Sequence, residues 1–177
     1  MPRVFVAAGS NVEPERNLTL AVEELRRTFG ALDISPWYRN RAVGFDGADF
    51  INFVVGFDTE LAVQEVSARL RGIEALCGRP RAAPKWAPRS MDLDILLYGD
   101  LVSRGPELIL PRPDLLKRAY MLGPLADLAP ELEHPTAGLT IGELWSRFDR
   151  AAHPLERLPD TLTNRRSGPR PLQESGR

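Results

Sequence analysis

Two aspartates, Asp92 and Asp94, sit two residues apart in MDLDILLY (91–98), a stretch otherwise apolar enough for a buried strand. In an extended chain, residues i and i+2 point to the same face. Asp92 and Asp94 therefore aim together, while Met91, Leu93 and Ile95 point the other way, into a core. Burying two carboxylates is costly unless something compensates them. A convergent pair suits a hard divalent cation held through oxygen, usually shared with substrate phosphates. It serves equally as solvated groups on an open sheet face, or as partners for nearby arginines. The pair alone does not decide between these.

The loop just before it, GRPRAAPKWAPR (78–89), carries Arg79, Arg81, Lys85 and Arg89, with no acid between Cys77 and Met91. Four cations on a short loop repel one another unless an anion joins them, and guanidinium forks match phosphate oxygens two at a time. A solvated basic loop is the plain alternative. The acidic pair follows directly, however, so cations and a metal seat face one space. That arrangement binds a polyphosphate and neutralises its reacting phosphoryl group. Neither G-x-x-x-x-G-K-[ST] nor G-x-G-x-x-G is present, so side chains must hold the phosphates instead of a glycine-rich cradle.

A second cluster lies in YRNRAVGFDGADFIN (38–52). Asn52 can read the edge of a heterocycle through its donor and acceptor, and Phe50 or Tyr120 can stack on its face. The plain alternatives are Phe50 as core and Asn52 as a partner for loop backbone. Glu74 lies beside the basic loop, with a salt bridge to Arg71 or Arg79 as its alternative. His134 and His153 occupy late, proline-flanked positions and read as non-catalytic.

The elements that must position these groups follow from periodicity. VFVAAG (4–9) reads as a strand stopped by Gly9-Ser10-Asn11. Pro14, flanked by Glu13 and Glu15, starts a helix whose apolar face is Leu18, Val22, Leu25 and Phe29, ending near Gly30. Leu32–Trp37 reads as a second strand, residues 38–49 as irregular, and Ile51–Thr59 as a third strand. Thr59 caps a second helix with the stripe Val63, Val66, Leu70, Ile73 and Cys77, stopped by Gly78. Cys77 thereby reads as core. Strand, helix, strand, strand, helix, strand is the βαββαβ order of an α+β ferredoxin-like sandwich with a mainly antiparallel sheet. Short helices are expected within 111–132 and over 139–148. One domain is expected over residues 1–153, followed by a polar, proline-bearing disordered tail over 154–177.

Composition bounds the function. The chain has 177 residues, and its 23 basic and 24 acidic side chains nearly cancel, so no global field recruits nucleic acid or an anionic membrane. A single cysteine excludes an intrachain disulfide and a thiolate zinc site. No stretch has the apolar length of a membrane span or signal peptide. These features lead us to expect a cytoplasmic, monomeric protein acting on small molecules.

Together the motifs resemble the 6-hydroxymethyl-7,8-dihydropterin pyrophosphokinases of folate biosynthesis. The likeness runs in order from GSN through Y-R-x-x-x-x-G, F-I-N, I-E-x-x-x-G-R-x-R and W-x-P-R-x-x-D-L-D-I-L-L-Y-G to P-x-P and K-R-A-Y-M-L-x-P-L, about residues 4–131. The resemblance implies transfer of a pyrophosphoryl group from ATP to the pterin hydroxymethyl oxygen, with release of AMP. It implies that Asp92 and Asp94 hold two Mg2+ ions, and that Arg79 and Arg89 brace the transferring phosphates. Arg71, Glu74, Ile95, Arg112 and Arg118 fall on the nucleotide side, and Arg81 and Trp86 on a loop that closes over the substrates. The pterin would lie between Phe50 and Tyr120, read by Asn52 and by backbone near Asn40 and Val43. Three departures stand out. Arg112 replaces a usual histidine, Asn40-Arg41 replaces a common Thr-Pro, and Arg71 replaces a smaller polar group. Of these, Asn40, Arg41 and Arg112 leave open a paralogue using the same phosphate machinery on another hydroxymethyl heterocycle. From another class, an RNA-binding ferredoxin-like domain remains an alternative, although such domains stack bases on central-strand aromatics, whereas VFVAAG and MDLDILLY offer only Phe5 and Tyr98 and place acids on one strand.

Overall fold

The structure, a computed structural model, describes residues 1–42, 47–78 and 91–160. In chain order the elements are β1 (Arg3–Ser10), α1 (Pro14–Phe29), β2 (Asp33–Ile34), β3 (Tyr38–Asn40), β4 (Phe50–Asp58), α2 (Val63–Gly78) and β5 (Asp92–Tyr98). There follow β6 (Ser103–Arg104), β7 (Ile109–Leu110), a 3-10 helix (Pro113–Leu116), α3 (Ala119–Leu128), α4 (Ile141–Arg147) and β8 (Glu156–Arg157). The main sheet runs β5-β1-β4-β3-β8, with β2 also paired to β4, and every pairing among these strands is antiparallel. Taking β2 and β3 as one interrupted strand, the order is fourth, first, third, second. This is the ferredoxin-like arrangement expected from the element order.

The sheet is covered on both sides. On one face, Val4, Val6, Phe53, Val55, Leu93 and Ile95 meet the α1 stripe (Leu18, Val22, Leu25) and all five expected α2 positions, Val63, Val66, Leu70, Ile73 and Cys77. Burial there pushes the Cys77 thiol up to about 11. On the other face, Phe5, Ala7, Val54, Leu96 and Leu97 pack against α3 and α4. The β1–β5 register shifts between Phe5, opposite Leu97, and Val6, opposite Ile95. This bulge lets the consecutive Leu96 and Leu97 both enter the second layer. Upstream of it, Asp94 sits opposite Ala7 and Asp92 opposite Gly9, on the second face but beyond the apolar cluster.

Several expectations shift in detail. The second strand is broken around Ser35-Pro36, because proline has no N–H to give the ladder. Ser35 compensates: its N–H donates to the Val54 carbonyl, and its hydroxyl accepts from the Val54 N–H, each at 2.9 Å. Pairing resumes at Tyr38–Asn40, where the sequence suggested irregular chain. The Thr59 hydroxyl accepts from Leu61 N–H at 3.1 Å and closes a turn. It does not cap α2, which begins at Val63 with the Ala62 carbonyl accepting from Val66 N–H. The tail expected from Pro154 is corrected as well. Glu156–Arg157 pairs with β3, and Leu158 is buried against the first core with its N–H on the Trp37 carbonyl. Backbone pairing needs no apolar periodicity, which is why the pattern was silent there. Residues 161–177 lie outside the described residues.

His134 has a structural place consistent with its non-catalytic reading. Its Nδ1 accepts from the N–H groups of Thr136 and Ala137 at 3.1 and 3.0 Å, and burial lowers its pKa below the ordinary 6.5. A histidine held neutral in the fold but protonated in the unfolded chain stabilises least at low pH. His134 should therefore cause stability to fall as pH drops below 6.5, and His134→Asn should weaken that slope. Denaturant midpoints between pH 5 and 8 measure it; an unchanged slope would remove His134 as its source.

Candidate active site

Among the described residues β5 is an edge strand, with no neighbouring strand on one side of its backbone. At Leu93, between the two aspartates, α2 supplies the missing partners. Glu74 Oε1 accepts from Leu93 N–H at 2.8 Å, and Arg71 Nη2 donates to the Leu93 carbonyl at 2.9 Å. Arg71 Nη1 also bridges both Glu74 oxygens, at 2.8 and 2.9 Å. Burial raises the Glu74 pKa; the Leu93 N–H and Arg71 oppose that rise, while Asp92 and Asp94 add to it. Arg71 and Glu74 thus form a clasp that holds the strand on which both aspartates are carried.

Asp92 and Asp94 open into a cavity of about 230 Å³ shared with Gly9, Asn40, Phe50, Asn52, Arg112, Asp114 and Tyr120. Asn52 lines it while only 7% exposed. Its Nδ2 donates to Asn40 Oδ1, and Asn40 Nδ2 donates to the Arg41 carbonyl at 3.0 Å. Burial holds the Tyr120 hydroxyl above its ordinary pKa, so at neutral pH it remains a protonated aromatic wall. Arg112 makes ion pairs of 3.6 Å with both Asp94 and Asp114. Three carboxylates against one guanidinium leave the described lining with an excess of negative charge.

That excess suits a cation, within limits. Among the described residues no three His, Cys, Asp or Glu side chains are grouped to hold a metal. Two carboxylates fit magnesium only if water and phosphate oxygens complete the octahedron, which is how magnesium is usually held at phosphate-transfer sites. The residues therefore fit a substrate-borne metal better than a resident one.

The remaining candidates separate. Arg71, Ile95 and Arg112 line a neighbouring cavity of about 340 Å³ with Ser67 and the turn from Pro106 to Ile109. Arg112 and Asp114 line both cavities. Arg118, expected on the nucleotide side, lines neither. It faces a cavity of about 680 Å³ with Arg39, Arg41 and His153, which adjoins the first through Asn40 and Tyr120. Glu74 lines none of the three, because its oxygens are turned to Leu93 and Arg71. Val43, Arg79, Arg81, Lys85, Trp86 and Arg89 lie outside the described residues.

Of the lining residues without a role in the sequence reading, Asp114 and Gly9 matter most to the site. Asp114 follows P-x-P, and its part as the second anchor of Arg112 has no local signal. Gly9 read as a turn, yet it lies within β1 opposite Asn52. A Cβ built there would come within 2.3 Å of Asn52 Oδ1. Only glycine leaves Asn52 its position.

The model of the 7,8-dihydro-6-hydroxymethylpterin-pyrophosphokinase (HPPK) family matches residues 5–130. The chain belongs to this family. The matched span contains the whole lining of the first cavity, from Ala7 to Met121. Among HPPK relatives, the 2-amino-4-hydroxy-6-hydroxymethyldihydropteridine pyrophosphokinase of Pseudomonas aeruginosa is 39% identical over 137 residues, covering 75% of this chain and 84% of that protein. Its namesake from Synechocystis is 37% identical over 151 residues, covering 83% and 76%. Among solved structures, wild-type HPPK-DHPS of Plasmodium falciparum superposes with a TM-score of 0.65 at 13% identity over 82% of this chain. A likeness at that identity speaks for the fold alone. The chain spans 44% of that longer solved chain. HPPK membership and these relatives' names support the folate pyrophosphokinase reading and favour neither the RNA-binding alternative nor a paralogue acting on another heterocycle.

Proposed function

We propose that this chain transfers the pyrophosphoryl group of ATP to the hydroxymethyl oxygen of 6-hydroxymethyl-7,8-dihydropterin, releasing AMP. The observation that carries the reading is one cavity in which a heterocycle-type lining, Asn40, Phe50, Asn52 and Tyr120, meets the Asp92–Asp94 pair. The pterin would stack between Phe50 and Tyr120, with its edge on the buried Asn52 amide. The triphosphate would run toward Arg112, and the nucleoside would occupy the cavity beside Arg71 and Ile95. Arg79 and Arg89 would brace the transferring phosphates, with Arg81 and Trp86 closing over them.

In the reaction the hydroxymethyl oxygen attacks the β-phosphorus. The bond from that phosphorus to the oxygen bridging the α-phosphate breaks, AMP leaves with that oxygen, and the hydroxyl proton is released. Asp92 and Asp94 would hold magnesium, as two ions, which supplies neutralisation of phosphate charge when bound. The rest is positioning: a hydroxyl is a poor nucleophile, and enzymes of this class act chiefly by alignment and charge stabilisation. Purified protein with ATP, magnesium and 6-hydroxymethyl-7,8-dihydropterin should form AMP and the pterin diphosphate stoichiometrically, as read by chromatography. No AMP, under conditions where the Pseudomonas aeruginosa relative produces it, would sink the assignment.

Gly9 gives a sharper test of the pterin end. Gly9→Ala should displace Asn52 and raise the pterin KM about tenfold, the loss expected for one well-placed hydrogen bond (about 1.4 kcal/mol). The KM for ATP should change little. Equal effects on both substrates would show that Asn52 does not read the pterin.

A further inference from the structure

Arg112 has a fixed root and a divided head. Pro111 and Pro113 bracket it, and its N–H donates to the Leu96 carbonyl at 3.0 Å, tying it to β5 two residues past Asp94. Its carbonyl accepts from Leu115 N–H at 3.1 Å, which sets the start of the 3-10 helix. With the backbone held at both sides, any movement is confined to the side-chain torsions. The guanidinium now lies between Asp94 and Asp114, 3.6 Å from each, and its buried Nε has no hydrogen-bond partner among the described residues. The side chain lines both the aspartate cavity and the neighbouring one.

We propose that Arg112 is a resident counter-cation for Asp94, displaced from it by a divalent metal and taken up by the polyphosphate. A carboxylate oxygen paired with guanidinium is a poorer metal ligand, because the two cations compete for the same charge and repel each other. In the nucleotide-free protein Arg112 therefore suppresses binding of free metal at Asp94. When a polyphosphate enters, its oxygens offer the guanidinium a bidentate partner with more charge than one carboxylate. The arginine transfers, and Asp94 becomes available. Asp114 remains as the second anchor and limits how far the head swings. A neutral side chain at this position would do neither job.

The inference rests on the pyrophosphokinase reading only for the identity of the polyphosphate, and its test needs no turnover. Mn2+ binding to the nucleotide-free protein is measured by electron paramagnetic resonance for the native chain and R112Q. Binding of a non-hydrolysable ATP analogue in EDTA is measured by calorimetry for the same pair. R112Q should bind Mn2+ about fivefold tighter and the metal-free analogue about fivefold more weakly, the scale of one partly exposed ion pair. R112K, which keeps the charge, should restore weak Mn2+ binding. If R112Q does not fold by circular dichroism, R112M, neutral and of similar length, carries the same comparison. Mn2+ affinity unchanged or weaker in the neutral variant overturns the proposal, and so does unchanged analogue binding. Failure of AMP release by the native chain would instead overturn the function and leave this comparison readable.

Discussion

Asp94→Ala should lower the rate of AMP formation by roughly a thousandfold, the scale of losing a preorganised charge-stabilising group at a phosphoryl-transfer site. The fold should survive. Asp94 is partly exposed on the open second face, so its removal leaves no cavity in either core. Arg112 keeps its pair with Asp114, so no guanidinium is stranded. What disappears is half of the carboxylate pair, and Asp92 alone cannot hold a metal against both water and a triphosphate. Steady-state kinetics over a magnesium titration, beside a thermal melt, separates the two effects. Near-normal, magnesium-dependent turnover in this variant would mean that the metal seat lies elsewhere.

Glu74→Ala should act through stability and site geometry together. Its carboxylate is the acceptor for the buried Leu93 N–H and the partner of Arg71. Leaving a buried donor unsatisfied costs about 1–3 kcal/mol. The clasp lies between the two aspartates, so loosening the strand edge should also misplace them and lower kcat about tenfold or more, as small misplacements in such sites do. Glu74→Gln distinguishes acceptor from charge. It retains an oxygen for Leu93 N–H and should recover most of the stability. The sign with pH also follows. An acid whose pKa is raised above the usual 4.5 binds its proton more tightly folded than unfolded, so its contribution is fullest below 4.5 and declines as pH rises through the raised value. Glu74→Gln should flatten that part of the stability curve. Equal melting points for Glu74→Ala and the native protein would show that Leu93 finds another partner.

Much of the scaffold was legible in order and type. The stripes of α1 and α2 carry a helical period, and the strand with alternating Asp92, Leu93, Asp94 and Ile95 carries a period of two. These local patterns name the buried face directly. Elements without such a period escaped. β3, β8 and the β6–β7 hairpin are two or three residues long and are held by backbone pairing, to which side-chain pattern is blind. Thr59 looked like a cap because its type suits one; the chain needs three more residues to turn before α2 begins.

The candidate site divides in the same way. The pairing of Asp92 with Asp94 on one face follows from strand geometry, and the chemistry of Asn52, Phe50 and Tyr120 follows from residue type. Their meeting does not. Phe50 and Asn52 come from β4, the aspartates from the edge strand, and Tyr120 from α3, which packs on the same second face of the sheet, brought to one cavity only because β1 lies between β4 and β5. Glu74 had two readings in the sequence, nucleotide contact or salt bridge, and the strand edge decided for a clasp. Gly9 and Asp114 needed the tertiary structure altogether, since a close approach and a second anchor are distances between segments far apart in the chain. The sequence by itself determined the element order, the apolar faces and the kinds of group available for chemistry, because these depend on neighbours within a few residues. Only the tertiary structure decided which of those groups share a cavity and which brace one another, because that depends on how the sheet orders strands that the chain makes far apart.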